Sequence, residues 1–198
     1  MELFCSPFQL SAIPIEDGEL YLLAQLELPL SNEMMLARLI AETAWRAETI
    51  TVWGKQHRQP RLTAWHGEAA YTYSGLTLAP LPLTPLLLTI RTAVEQATSR
   101  RFNSVLLNYY RDGRDSMGMH SDDEPELGLE PAIASVSFGE TRTFILKHRH
   151  SKRMLKVPLA SGSLLLMAGA TQSNWLHGIN KSSRPLNPRV NLTFRNIS

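Results

Sequence analysis

The chain has 198 residues, 43% of them hydrophobic, which fits one globular domain with a sizeable core. Its single cysteine, Cys5, excludes a disulfide framework and a thiolate zinc site and indicates a reducing compartment. The N-terminal residues lack the pattern of a secretory signal, and no window reaches the roughly 18 apolar residues of a membrane span. We therefore expect a cytoplasmic protein that has no membrane partner.

Charge is distributed unevenly along the sequence. All 18 acidic residues lie at or before Glu140, together with 10 of the 20 Lys and Arg residues, whereas residues 141–198 contain 10 bases and no acid. The densest basic part is KHRHSKRMLK, residues 147–156. A basic surface of this kind favours an anionic partner, and nucleic acid is the usual one. An exposed hairpin kept soluble by its charge is the alternative.

Two helices are predicted in the first half of the chain. Ser31 is a suitable N-cap for a helix that extends to about Trp45. Thr84 directly precedes Pro85, and this pair predicts the N-cap and first residue of a second helix. Apolar residues recur at helical spacing in both segments, so each helix is expected to bury one face.

After the second helix the hydrophobic period changes from that of a helix to that of a strand. Short strand-like segments occupy residues 104–110, 133–139, 142–148, 162–167 and 189–195. The sequence shows no internal repeat and no convincing linker. It therefore predicts a mostly β fold with flanking helices (α+β), in which a sandwich or barrel forms the core.

The last of these segments, RVNLTFR, separates polar from apolar side chains. Its polar residues share one face: Arg189, Asn191, Thr193 and Arg195. Two guanidinium groups on one face are suited to a ligand that has two carboxylates. An edge strand with a solvated polar face has the same pattern, and the pattern alone favours that alternative. Asn108 and Tyr110 also share a strand face and offer further hydrogen-bonding groups; a buried hydrogen-bonding pair has the same pattern.

The stretch GMHSDDEPE, residues 118–126, contains a histidine two positions before an aspartate. Because residues two apart in an extended chain project to the same side, His120 and Asp122 can bind one metal ion. A third ligand has to come from elsewhere, and His177 lies in an apolar stretch, NWLHGI, that indicates a sheltered position. Two histidines and one carboxylate form the facial triad of non-haem Fe(II) oxygenases. A zinc site needs further ligands that the sequence does not clearly supply, and a lone histidine in an apolar strand is more often a core residue.

These parts occur in a characteristic order. The motifs N-x-Y (108–110) and H-x-D (120–122), the distal His177 and R-x-N-x-T-x-R (189–195) together resemble the AlkB family of Fe(II)- and 2-oxoglutarate-dependent dioxygenases. The resemblance extends from about Val52 through VWGK, PRLTAWHGE, YTYSGLTLAP, IASVSFGETRTF and PRVNLTFR, and is greatest to the duplex-DNA repair demethylases of that family. It implies a single domain with an N-terminal extension (1–47), a nucleotide-recognition region (48–103) and a double-stranded β-helix, or jelly roll, core (104–198).

The resemblance also implies roles for individual residues. His120, Asp122 and His177 are expected to bind the iron. Arg189 and Arg195 are expected to hold the two carboxylate ends of the cosubstrate 2-oxoglutarate, with help from Asn108, Tyr110, Asn191 and Thr193. Dioxygen is the expected oxidant, and hydroxylation of an N-methyl group is expected to release formaldehyde.

A base in a duplex has to leave the stack before it reaches such an iron. Tyr71 and Tyr73 match positions where the family stacks aromatic rings on the flipped base, and Ser74 in the same stretch is expected at the substrate. Trp53 matches the residue that fills the vacated stack, and Gly54 permits a tight turn behind it. Tryptophan is bulkier than the phenylalanine expected at this position.

Two acids follow the H-x-D motif directly. Asp123 and Glu124 are expected beside the substrate, where an acceptor favours a base made cationic by methylation, such as 1-methyladenine or 3-methylcytosine. Residues 147–156 are then expected to contact phosphates of the opposite strand. We expect a monomer that demethylates N-alkylated bases in DNA. The alternatives are the same chemistry on methylated RNA or a protein side chain, and a noncatalytic jelly-roll binding protein with a structural metal.

Overall fold

A computed structural model describes residues 9–52, 55–68, 71–73, 76–78 and 80–197, with the backbone alone for residues 50–52, 55–57, 71–73 and 76–78. The described strands are, in chain order, Ser11–Ala12 (β1), Glu19–Leu23 (β2), Thr49–Val52 (β3), Lys55–Arg58 (β4), Leu62–Gly67 (β5), Tyr71–Tyr73 (β6), Leu76–Leu78 (β7), Ser104–Tyr110 (β8), Met117–His120 (β9), Ile133–Gly139 (β10), Arg142–His148 (β11), Met154–Leu159 (β12), Leu164–Ala168 (β13), Trp175–Ile179 (β14) and Arg189–Arg195 (β15). The described helices are Asn32–Glu42 (α1), Pro85–Thr98 (α2), the single turn Thr171–Asn174 (α3) and a 3-10 turn at Pro125–Leu127.

Both predicted helix starts are confirmed. The Ser31 hydroxyl accepts a hydrogen bond from the Met34 N–H, and the Thr84 hydroxyl accepts one from the Leu87 N–H, each over 3.3 Å. The first helix is shorter than predicted, because the backbone becomes extended at Thr43. No helix in the described part of the chain is long and apolar enough to cross a membrane.

Two antiparallel sheets form the body of the protein. The major sheet has the strand order β1-β2-β13-β10-β15-β8-β5, and the minor sheet has the order β12-β11-β14-β9. From β8 to β15 the chain passes repeatedly between these two sheets, which is the connectivity of a jelly roll. The predicted mostly β fold with flanking helices and a jelly-roll core is confirmed. Two separate hairpins, β3-β4 and β6-β7, precede this core.

Two hydrophobic clusters define the layers. One lies between the helices and the major sheet and includes Met35, Leu39, Ile90, Val94, Val136, Val190, Leu192 and Phe194. The other lies between the two sheets and includes Trp65, Leu106, Tyr110, Leu165, Phe144, Leu146 and Trp175. Because side chains alternate along a strand, the apolar face of β15 packs under the helices and its polar face points toward the minor sheet.

The interpretation of the last segment as an edge strand is wrong. β15 pairs along its whole length with β10 on one side and β8 on the other. Arg189 and Arg195 are each only 1% exposed, since the minor sheet covers the face that carries them. The strand predicted at residues 162–167 begins later, at Leu164, because Gly162 adopts a positive φ of 84° in the preceding turn.

Candidate active site

The pairing of β9 with β14 brings two distant histidines together. His120 lies directly opposite His177 in this antiparallel pair, and their ring centroids are 4.4 Å apart. The register shifts just after this pair. Gly178 permits the close approach of the two strands, because a Cβ there would lie 2.8 Å from the Met117 carbonyl oxygen. The local backbone therefore depends on a glycine next to the second histidine.

Asp122 completes a cluster with these histidines. Potential ligand atoms of His120, Asp122 and His177 all lie within 4.8 Å of one another, and in the described part of the chain this is the one such group. The Oδ2 atom of Asp122 is buried and accepts no hydrogen bond from any described residue. A buried carboxylate oxygen without a donor is costly unless a cation fills the gap. The donor set and this open oxygen fit a metal ion of the facial-triad type.

Neighbouring groups hold the three side chains in place. His120 Nδ1 lies 2.9 Å from the Gly118 carbonyl oxygen, so a proton on Nδ1 is donated there and Nε2 is left as an acceptor. The N–H of Asp122 donates to Gln172 Oε1 over 3.0 Å. The ring of Phe144 stacks on His177 with centroids 5.2 Å apart. The cluster is thus oriented by contacts from three different elements.

The protonation states suit metal binding. Burial by itself raises the pKa of Asp122, but Arg195 and the two imidazoles more than offset this effect and lower the pKa to about 2. Burial and, to a smaller extent, the nearby His120 together lower the pKa of His177 to about 3. Burial also lowers the pKa of His120. At neutral pH the cluster therefore consists of one carboxylate and two neutral imidazoles, the forms that bind metals.

The cavity that contains the cluster continues between the sheets. Its polar lining includes Tyr110, Ser135, Arg189, Asn191, Thr193 and Arg195. Four of these residues form the polar face of β15, so the predicted face assignment is confirmed. Asn108 is placed differently: its Oδ1 accepts a hydrogen bond from Arg61 Nε over 2.7 Å.

Arg189 lies in this cavity as a buried cation. Its Nη2 donates to the Ser137 hydroxyl over 3.0 Å, whereas Nε and Nη1 are buried and have no hydrogen-bond partner among the described residues. Burial lowers the pKa of Arg189 to about 10, so the group stays charged at neutral pH. Buried guanidinium N–H groups without a protein acceptor fit the carboxylate of a bound dicarboxylic acid.

Two polar side chains between the arginines are fixed by a hydrogen-bond network. Asn191 Nδ2 donates to the Ser135 hydroxyl over 2.8 Å and to the Val136 carbonyl oxygen over 3.0 Å. The Thr193 hydroxyl donates to Asn191 Oδ1 over 3.1 Å. This network holds the cavity wall between the two arginines in one conformation.

The structure describes the predicted substrate residues to different extents. Trp53, Gly54 and Ser74 lie outside the described residues, and for Tyr71 and Tyr73 the structure describes only the backbone of β6. Asp123 follows the metal-binding motif with a side chain that is 60% exposed. Glu124 directly precedes the 3-10 turn at Pro125–Leu127.

The sequence did not reveal several residues around the site. Arg61 is 4% exposed and contacts Asn108. Arg149, in the basic segment 147–156, donates to the Ser121 hydroxyl over 2.6 Å and to Asp123 Oδ2 over 3.2 Å. Gln172 lies in a four-residue helix that has no clear sequence pattern. None of these positions is distinguishable from a surface polar residue before the strands are assembled.

Comparison with known proteins supports the same interpretation. The chain is 43% identical over 175 residues to alpha-ketoglutarate-dependent dioxygenase alkB homolog 3 of Mus musculus, a match that covers 83% of this chain and 61% of the relative. It is 46% identical over 158 residues to DNA oxidative demethylase ALKBH2 of Homo sapiens, covering 75% and 60%. The chain thus spans about 60% of the length of these curated relatives. The resemblance to the AlkB family is confirmed.

The fold and the family are supported independently. A solved structure of OsALKBH1 superposes with a TM-score of 0.65 at 16% sequence identity, covering 94% of this chain and 100% of that one, and shows the same fold. Residues 20–195 match the model of the 2OG-Fe(II) oxygenase superfamily. Fe(II), 2-oxoglutarate and O2 are the metal, cosubstrate and oxidant of that family, and the cluster and the buried arginines fit them. The chain belongs to the 2OG-Fe(II) oxygenase superfamily.

Proposed function

We propose that this chain is an Fe(II)- and 2-oxoglutarate-dependent oxidative demethylase that repairs N-alkylated bases of the 1-methyladenine and 3-methylcytosine type in DNA. The observation that carries the proposal is the buried cluster of His120, Asp122 and His177, in one cavity with Arg189. The relative named DNA oxidative demethylase ALKBH2 supports the substrate class.

The proposal assigns a task to each part of the cavity. His120, Asp122 and His177 hold the iron, and Arg195 keeps Asp122 ionised and fixed. Arg189 and Tyr110 receive the distal carboxylate of 2-oxoglutarate. When bound, iron and cosubstrate supply the oxidising power that hydroxylates an N-methyl group, after which the product loses formaldehyde. The protein orients the reactants and excludes water, since the cavity lies between two packed sheets.

The surroundings of the cluster support a cationic base as substrate. Asp123 is adjacent in sequence to a metal ligand and its carboxylate is largely exposed, so it can face a methylated base that carries positive charge. The segment 147–156 has four exposed basic side chains that can contact phosphates: Lys147, Lys152, Arg153 and Lys156. We therefore propose nucleic acid as the partner. A single chain supplies the whole cluster, which supports a monomer.

The test is reconstitution of the full chain with Fe(II) and 2-oxoglutarate without oxygen, followed by exposure to O2 with oligonucleotides containing 1-methyladenine or 3-methylcytosine. Succinate and demethylated base are measured together on single-stranded DNA, duplex DNA and RNA. Coupled formation of both products on DNA supports the proposal. Succinate without base repair contradicts the DNA substrate, and repair confined to RNA replaces it with the RNA alternative. No succinate with any substrate favours the noncatalytic binding protein.

A further inference from the structure

We infer that Arg142 is a positioning residue for the cosubstrate: together with Arg189 it places Tyr110 and a concentrated positive charge where the distal carboxylate of 2-oxoglutarate binds. This inference deepens the proposed function and rests on its assignment of Arg189 and Tyr110 to that carboxylate. Arg142 is the first residue of β11 and is 4% exposed.

Arg142 ties together loops that come from three strand ends. Its guanidinium donates to the carbonyl oxygens of Asn180 over 2.7 Å, Asp115 over 3.0 Å and Asp112 over 3.4 Å. Asp112 and Asp115 lie in the connection between β8 and β9, and Asn180 directly follows β14. The Arg142 side chain therefore fixes the backbone where β8 and β14 end and where β9 begins.

Each of those strand ends contributes a residue to the cavity. Tyr110 is the last residue of β8, Met117 is the first of β9 and Ile179 is the last of β14, and all three line the cavity that contains the metal cluster. A displacement of the loops held by Arg142 therefore moves the wall of the cavity at the position of Tyr110. This coupling gives Arg142 an effect on binding without direct contact with the ligand.

Two buried guanidinium groups lie near the ring of Tyr110. The Cζ atom of Arg189 is 5.1 Å from the ring centroid and that of Arg142 is 5.6 Å from it, both within the range of a cation–π interaction. Tyr110 itself is 1% exposed. The buried ring is therefore in contact with both guanidinium groups.

Neither Arg142 nor Arg189 is in direct contact with a carboxylate of the described residues. In the described part of the chain no carboxylate forms an ion pair with Arg142 or Arg189, and the nearby carboxylate of Asp115 pairs with Arg111 over 2.8 Å. Two buried like charges that no carboxylate contacts directly are unfavourable, so this end of the cavity favours a ligand that brings negative charge. 2-Oxoglutarate brings a carboxylate at each end, and the one far from its keto acid end fits here.

A purely structural role for Arg142 predicts a different result from a role in cosubstrate selection. A tie that only maintains the fold weakens every ligand of the cavity to a similar extent, whereas displacement of Tyr110 affects only ligands that have a distal carboxylate. A cation that acts on the distal carboxylate affects only ligands that have this group. 2-Oxovalerate distinguishes the two roles, because it is a five-carbon 2-oxo acid like 2-oxoglutarate but lacks the distal carboxylate.

The experiment measures the Kd of both keto acids by calorimetry on the full chain loaded with Mn(II), which binds the same ligand set without turnover. Arg142→Met is expected to raise the Kd of 2-oxoglutarate by about tenfold and that of 2-oxovalerate by less than about twofold. Arg142→Lys retains the charge and is expected to bind 2-oxoglutarate within about threefold of the unchanged protein. Arg114→Met removes an exposed cation from the same loop and is the matched control, with no expected effect.

Equal weakening of both keto acids in Arg142→Met, or no weakening of either, overturns the inference. Failure of Arg142→Lys to recover the binding of 2-oxoglutarate also contradicts the role of charge. Binding of 2-oxoglutarate to the unchanged protein, and base repair by it, test the proposed function separately. A failure of the inference is therefore distinguishable from a failure of that proposal.

Discussion

Arg195 donates a hydrogen bond to Asp122 Oδ1 over 2.8 Å, and both side chains are only 1% exposed. The pair joins β15 of the major sheet to the loop after β9, which carries Asp122. A buried carboxylate that lacks its cation is strongly unfavourable, because the protein interior does not replace the water that solvates the charge. The arginine therefore stabilises the site before any metal binds.

Arg195→Met is expected to lower the free energy of unfolding of the metal-free protein by roughly 3 kcal/mol, since it leaves Asp122 buried without its partner. Urea denaturation at neutral pH measures this loss. Arg38→Met removes half of an exposed ion pair on α1 and serves as the control, with no measurable change expected. If Arg195→Met loses no more stability than the control, the Arg195–Asp122 pair does not stabilise the metal-free protein.

Asp122→Ala is expected to weaken Fe(II) or Mn(II) binding by at least about 100-fold and to abolish turnover, because it removes the only anionic member of the cluster. Calorimetry with Mn(II) measures the affinity without reference to activity. The adjacent substitution Asp123→Asn keeps all three cluster residues and is expected to leave metal affinity within about threefold. If both variants bind metal equally well, the cluster is not the metal site.

The metal-free protein is expected to lose stability as the pH falls below about 6.5. The pKa of His177 is about 3 in the folded protein, against 6.5 for an ordinary imidazole. Between these values the unfolded chain binds a proton that the folded protein does not, which costs up to about 1.4 kcal/mol per pH unit. The carboxylate of Asp122, with a pKa of about 2, adds a further loss as the pH falls from about 3.8 toward 2.

Urea denaturation of chelator-treated protein at several pH values from 7 to 4 measures this dependence. His177→Asn removes the group responsible, so its stability is expected to fall less steeply over the same range. If the stability of the variant falls as steeply with pH as that of the unchanged protein, His177 is not the group responsible. The comparison uses slopes, so a constant difference in stability between the two proteins does not affect it.

Trp53→Ala is expected to reduce repair of a duplex on the order of tenfold more than repair of a single strand, because only a duplex needs a side chain to fill the vacated stack. Initial rates on matched single- and double-stranded oligonucleotides give this ratio. If the repair rates on both substrates fall equally, Trp53 does not fill the vacated stack.

Lys152→Ala is expected to weaken DNA binding and to reduce the slope of log affinity against log salt by about one, as for the loss of one phosphate contact. Lys152 is exposed in the turn between β11 and β12. Fluorescence anisotropy over a series of salt concentrations measures the slope. An unchanged slope shows that Lys152 does not contact phosphate.

Local patterns in the sequence predicted much of the fold correctly. The segments predicted at residues 104–110, 133–139, 142–148 and 189–195 are strands with those bounds. Both helix N-caps were also predicted, because Ser31 and Thr84 satisfy backbone N–H groups within their own segments. Such features depend on neighbours a few residues away, so a sequence pattern is sufficient to show them.

The sequence by itself determined which residues share a face: His120 with Asp122, and the arginines of RVNLTFR with each other, because strand periodicity is local. Only the tertiary structure decided that the polar face of β15 is buried, since pattern cannot distinguish a central strand under a second sheet from an edge strand in water. It also decided that Arg142 contacts loops 27 to 38 residues away in the chain. Contacts of this kind arise from the packing of two sheets, and packing has no local periodic signature.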